Sequence, residues 1–212
     1  MVPILILIAG FFIYMMSRRK KLEKQVELFN KLLYVDKNPQ KYFGEVDKLL
    51  LKYQSENEKH INYIQKTTGL LYAGKFEEAV SILNENVKKI PPNWQVVYYH
   101  NMLLSLYFSG ETEKANEILK EVKSTIDSYY KKDYNKVTIE LIYAVSDYYN
   151  HRISECKEFF KLLTEITTNE FRIAIGYYFS GKILEIEGNI EDGAEYLEKA
   201  KAFAQGNFIE YL

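Results

Sequence analysis

The sequence predicts an all-α protein: an α-solenoid of helix–turn–helix hairpins preceded by one apolar N-terminal helix. Small and apolar side chains recur at helical spacing in one register, repeated around Gly74, Gly110, His151 and Gly188. Glycine and proline number only 10 and 4 in 212 residues, too few for a turn-rich β architecture or long disordered linkers. The 19 Tyr fall inside helical patterns rather than in strand-like alternation, as filler between packed helices.

From Met1 to Met16 there is no charged side chain, and SRRKK follows at residues 17–21. At about 1.5 Å per residue this run spans roughly 24 Å, short of a ~30 Å hydrocarbon core. Tyr14 at the rim and the stems of Arg18 and Arg19 can cover the deficit by snorkelling. A secretory signal peptide carries its positive charge before the apolar run, whereas here it comes after, with no small-residue cleavage site. Residues 1–17 are therefore expected to be a transmembrane anchor in contact with the lipid bilayer. The basic cluster places the N-terminus outside and the remainder in the cytoplasm, as a single-pass protein of the cell membrane.

Residues 18–57 are read as a juxtamembrane helix and a degenerate first hairpin. Leu22, Val26, Phe29 and Leu32/Leu33 keep helical spacing to about Val35. Asp36-Lys37-Asn38-Pro39 breaks the helix, and Asn38 is placed to cap the next one with Pro39 at its first position. That helix carries Tyr42, Val46, Leu49 and Leu50, and a polar loop follows over residues 54–59.

Residues 58–205 hold the repeats, and 206–212 a C-terminal tail. Five residues after each turn comes a small side chain (Ala79, Ala115, Cys156, Gly193), and four further on a large apolar one (Leu83, Leu119, Phe160, Leu197). A small residue is needed where two helices cross most closely, and a large one fills the groove a turn later. In GKFEEAVSILNENVKKIPP, residues 74–92, the glycine turn, the aromatic-Glu-Glu-Ala run and the closing Pro91 resemble the tetratricopeptide repeat family, in its membrane-anchored bacterial form. The turns here lie farther apart than that family's ~34 residues, and the third has His151 in place of glycine. Extra residues around Tyr129-Tyr130-Lys131-Lys132-Asp133 lengthen the second connection.

No metal or cofactor is expected. His60, His100 and His151 lack a second ligand at zinc spacing, and the glycines stand singly at helix turns rather than in a phosphate-cradling loop. Cys156 occupies a helix-crossing position, as a packing residue. Glu77-Glu78 and Glu191-Asp192 fall in first turns of helices, where they complement the dipole. Nothing supports catalysis, and a net charge of -1 provides no basic field for nucleic acid.

The resemblance implies a binding surface on the wall formed by the first helix of each hairpin. Tyr72, His100, Tyr107, Tyr149, Tyr178 and Lys182 are the candidate partner-binding residues on it. With Lys182 as its one cation, this wall does not resemble those that clasp a free C-terminal carboxylate. The expected function is a membrane-tethered scaffold or adaptor that binds a protein partner. The alternative is a structural or accessory subunit of an envelope or secretion complex that reads no peptide motif.

Overall fold

A computed structural model describes the backbone of residues 2–52 and 55–212; the side chains of residues 2–11, 13, 14, 18 and 22 lie outside the description. The described residues form ten α-helices with short 3-10 and π turns, and no strand occurs among them. The chain divides into two units, residues 1–37 and 38–212.

The first unit is the helix α1, Val2–Asn30, continued by a π-helical turn, Lys31–Val35, that ends when Asp36 N donates to Lys31 O at 2.7 Å. Among the described residues no helix is long and apolar enough to cross a membrane. Most of the expected anchor, residues 1–17, falls outside the described side chains; of those described, Phe12, Met15 and Met16 are exposed.

The second unit begins where the sequence places a helix start. Asn38 Oδ1 accepts from Lys41 N at 2.8 Å and Pro39 opens α2, Pro39–Leu50. Ser55 and Glu58 form a reciprocal capping box at the start of α3, Glu56–Tyr72, satisfying donors that the first turn would otherwise leave orphaned. Four hairpins then follow: α3 with α4 (Phe76–Asn86), α5 (Gln95–Phe108) with α6 (Thr112–Ser128), α7 (Asp133–Tyr149) with α8 (Ile153–Ile166), and α9 (Glu170–Ile186) with α10 (Ile190–Phe203).

One turn geometry closes all four. Gly74, Gly110, His151 and Gly188 each adopt positive φ (73°, 84°, 58° and 87°). The next N–H reaches back to the carbonyl five residues earlier: Lys75 to Leu70, Glu111 to Leu106, Arg152 to Asp147 and Asn189 to Leu184, each at 2.9 Å. This left-handed closure normally selects glycine, and the third hairpin retains it with a histidine.

The expected crossing residues Ala79, Ala115, Cys156 and Gly193 are all buried. At the tightest crossing, α9 on α10, a Cβ added to Gly181 would lie 2.9 Å from Gly193 O, and one on Gly193 would lie 3.0 Å from Gly181 O. Each hairpin packs on the next, with α3, α5 and α7 side by side, and the α6–α7 junction is the loosest of these joints.

The chain does not trail away after α10. A 3-10 turn, Phe208–Tyr211, is capped by Asn207 Oδ1 accepting from Ile209 N at 3.0 Å. Phe208 meets the rings of Phe76 at 4.9 Å and Phe108 at 5.0 Å, and its Cβ would stand 2.8 Å from a Cβ on Gly74. Residues expected as a tail thus return to the first hairpin and close the inside of the curve.

Candidate functional site

The wall formed by α3, α5, α7 and α9 is largely filled by its own aromatic rings. Phe179 is fully buried at its centre, stacked on Phe160 at 4.5 Å and on Phe108 at 6.0 Å. Tyr148 meets it edge-on at 4.7 Å. Such pairs contribute ~0.5–1.5 kcal/mol each beyond their buried area, so the seam ties three hairpins together.

This packing divides the expected partner-binding residues. Tyr107 is fully buried, stacks on Tyr149 at 5.5 Å and donates its hydroxyl to Asn116 Oδ1 at 2.8 Å. Tyr72 is buried and stacks on Phe171, centroids 3.9 Å apart. Neither ring is open to a ligand in this structure, which corrects the expectation that both line an accessible wall: the hairpins curve tightly enough for α3 to meet α9. Tyr149, Tyr178, His100 and Lys182 stay half-buried. Tyr149 and Tyr178 are electrostatic neighbours, and burial raises both phenols. The adjacent Tyr148 hydroxyl is pushed up to about 12, first by burial and then by Tyr178 and Glu185. These phenols stay protonated at neutral pH. Lys182, one turn past Tyr178, bonds Glu185 Oε2 at 2.9 Å.

His100 stands apart in a polar patch. Asn101 donates to Ile64 O (3.3 Å), Thr67 Oγ1 (3.1 Å) and Thr68 Oγ1 (2.9 Å), which turns its Oδ1 toward His100 Nδ1 at 3.1 Å. With Oδ1 as acceptor, Nδ1 carries the proton. Burial lowers the imidazole pKa to about 4, the Asn101 bond opposes this, and the Arg172 charge adds to it. Arg172 Nη2 in turn donates to Thr138 Oγ1 at 2.6 Å.

A second candidate lies at the loose α6–α7 joint: a cleft of about 570 Å³, within the ~300–1,000 Å³ of typical ligand sites. Helix α6 presents Asn116, Leu119, Lys120 and Lys123 to it, spaced three and four apart on one face. Helix α7 answers with Tyr143, Ser146 and Asp147, its C-cap Asn150 continues the same spacing, and Arg152 closes one end. The floor is a reciprocal amide pair, Asn116 Nδ2 to Asn150 Oδ1 at 2.7 Å and Asn150 Nδ2 to Asn116 Oδ1 at 2.8 Å, braced from behind by the Tyr107 hydroxyl. At the other end Tyr143 donates to Asp127 Oδ1 at 2.5 Å, and Lys123 pairs with Asp127 Oδ2 at 3.1 Å. Burial and the Asp127 carboxylate raise the Tyr143 phenol, while that bond and Lys123 hold Asp127 below the usual carboxylate range.

Polar side chains hold this joint, and the sparse contact between α6 and α7 leaves room between the helices. The sequence register did not single out these residues. The signal was available in Asn116, a turn and a half into α6 after Gly110, and Asn150, immediately before His151.

Cys156 lies buried against Ile153 O, with Sγ 3.5 Å away, and burial pushes its thiol up to about 11, so it is a packing group in a protonated state. Among the described residues no cluster of His, Cys, Asp or Glu could hold a metal ion. The chain matches no family model, no curated protein and no solved structure.

Proposed function

We propose that the chain is a membrane-tethered helical-repeat scaffold that holds a protein partner on its hairpins. Residues 1–17 sit in the bilayer and the hairpins lie on the cytoplasmic side. The observation that carries the reading is the fourfold repetition of one hairpin closure at Gly74, Gly110, His151 and Gly188, because stacked hairpins build extended surfaces suited to other chains. The exposed Phe12, Met15 and Met16 on α1 support the tether. The half-buried Tyr149, Tyr178, His100 and Lys182 remain candidates for contact at the rim of the aromatic seam.

A structural subunit that reads no peptide motif is the second reading. The burial of Tyr72 and Tyr107 favours it, since a wall filled with its own side chains serves stability first.

The tether is tested by fractionation and protease protection. The full chain should sediment with membranes through alkaline carbonate washing. Residues 38–212 should resist protease added to intact cells and be digested in inverted vesicles. Release by carbonate, or digestion in intact cells, refutes the arrangement. Partner holding is tested by photo-crosslinking from exposed hairpin positions in native membranes, where one protein species should recur.

A further inference from the structure

We propose that the α6–α7 cleft holds the partner, and that its occupant is an extended acidic protein segment whose carboxylates pair with Lys120 and Lys123, with Arg152 adding its charge at longer range. This rests on the scaffold reading and names the chemistry of what is held.

Charge selects the occupant. Three cations and one carboxylate line the cleft in a chain whose net charge is -1. The carboxylate is already engaged: Asp147 Oδ1 takes both Arg152 Nε at 2.9 Å and Nη2 at 2.6 Å. Lys123 leans on the Tyr143 ring, 4.6 Å from its centroid, while paired with Asp127. Lys120 is exposed, lines the same opening, and forms no ion pair among the described residues. An incoming carboxylate therefore meets the Lys120 ammonium first, then Lys123, whose partner Asp127 is solvent-exposed and weakly held. Arg152 at the end of the cleft stays on the half-buried Asp147 and adds its charge at longer range.

Shape favours a peptide over a small anion. Leu119 and the Tyr143 ring give apolar contact beside the cations, which phosphate cannot use and the stems of an acidic segment can. The floor is rigid because the two amides fix each other, and Asn116 Nδ2 has one N–H left after serving Asn150, a donor available to a backbone carbonyl. The cations flank a groove between two helices rather than spreading over an open face, which suits an extended chain better than a bilayer.

The test uses the full chain and a short fluorescein-labelled oligoglutamate peptide, read by fluorescence anisotropy. Binding should saturate, weaken as salt rises, and be absent for oligolysine. Lys120→Glu should raise the Kd on the order of tenfold, since it replaces attraction by repulsion, while Lys120→Arg should bind as the parent does. Lys120 has no ion pair among the described residues to lose, so both variants should keep the parent's circular dichroism and melting curve.

Identical titrations for the parent chain and Lys120→Glu overturn the proposal. So does displacement of the peptide by inorganic phosphate when chloride of matched ionic strength has no effect, which makes the cleft an anion pocket. Anionic vesicles that compete through Lys120 overturn it in favour of lipid. A partner that crosslinks equally to the parent and Lys120→Glu removes the cleft and leaves the scaffold standing, whereas no recurring protein crosslink sinks the scaffold reading itself.

Discussion

His151→Gly should stabilise the repeat domain. His151 holds φ at 58° in a turn whose three counterparts are glycine. A side-chain-bearing residue in this region costs roughly 1–2 kcal/mol, while glycine gives back about 0.5–1 kcal/mol through the entropy of the unfolded chain. The net gain is therefore about 0.5–1 kcal/mol, or about 1–4 °C in Tm for a domain of this size. The imidazole is exposed and has no side-chain hydrogen bond among the described residues to forfeit. Gly110→Ala is the mirror experiment: nothing lies within 4 Å of the added Cβ, so a loss of similar size isolates the backbone strain. Gly74→Ala should lose more, because its Cβ also meets Phe208 Cβ at 2.8 Å. Differential scanning calorimetry reads all three. A lower Tm for His151→Gly, or equal losses for Gly74→Ala and Gly110→Ala, refutes the shared closure or the docked C-terminal turn, respectively.

Ala115→Leu should destabilise by roughly 1–3 kcal/mol, since the residue is fully buried at a helix crossing; an unchanged melting curve would contradict the crossing. Tyr107→Ala should lose about 3–5 kcal/mol and with it much of the helical circular dichroism. Tyr107→Phe, which keeps the ring and loses only the bond to Asn116, should lose about 1 kcal/mol. Acid should weaken the fold through His100. Its folded pKa of about 4 lies below the usual 6.5, so between these values the unfolded chain binds the proton and the folded one does not. Stability is thus intact above about pH 6.5 and falls toward pH 4, on the order of 1 kcal/mol given its partial exposure. His100→Gln should flatten that part of the Tm–pH curve.

The hairpin positions were legible because each turn demands a positive φ and each crossing a small residue, constraints that act within a few residues. His151 shows how robust the register is: the turn keeps its positive φ without a glycine, held by the bond from Arg152 N to Asp147 O and by the hairpins packed on either side. The contents of the inner wall were not legible. Whether Tyr72 faces solvent or Phe171 depends on how tightly four hairpins curve, a sum of small rotations that no local pattern encodes. The same holds for Phe208, whose place against Gly74 and Phe108 lies more than ninety residues away in sequence from either. The cleft escaped for a different reason. Asn116 and Asn150 look like ordinary helix-face and turn residues until the α6–α7 joint brings their amides together.

The central claim is that the hairpins hold a protein while residues 1–17 hold lipid. Photo-crosslinking amino acids placed in living cells at Phe12, at Lys120 and at the exposed Glu198 of α10, which does not line the cleft, test it directly. Lipid adducts at position 12, one recurring protein adduct at 120 and none at 198 is the pattern the account predicts. Protein adducts at 12, or no protein adduct at either hairpin position, would contradict it.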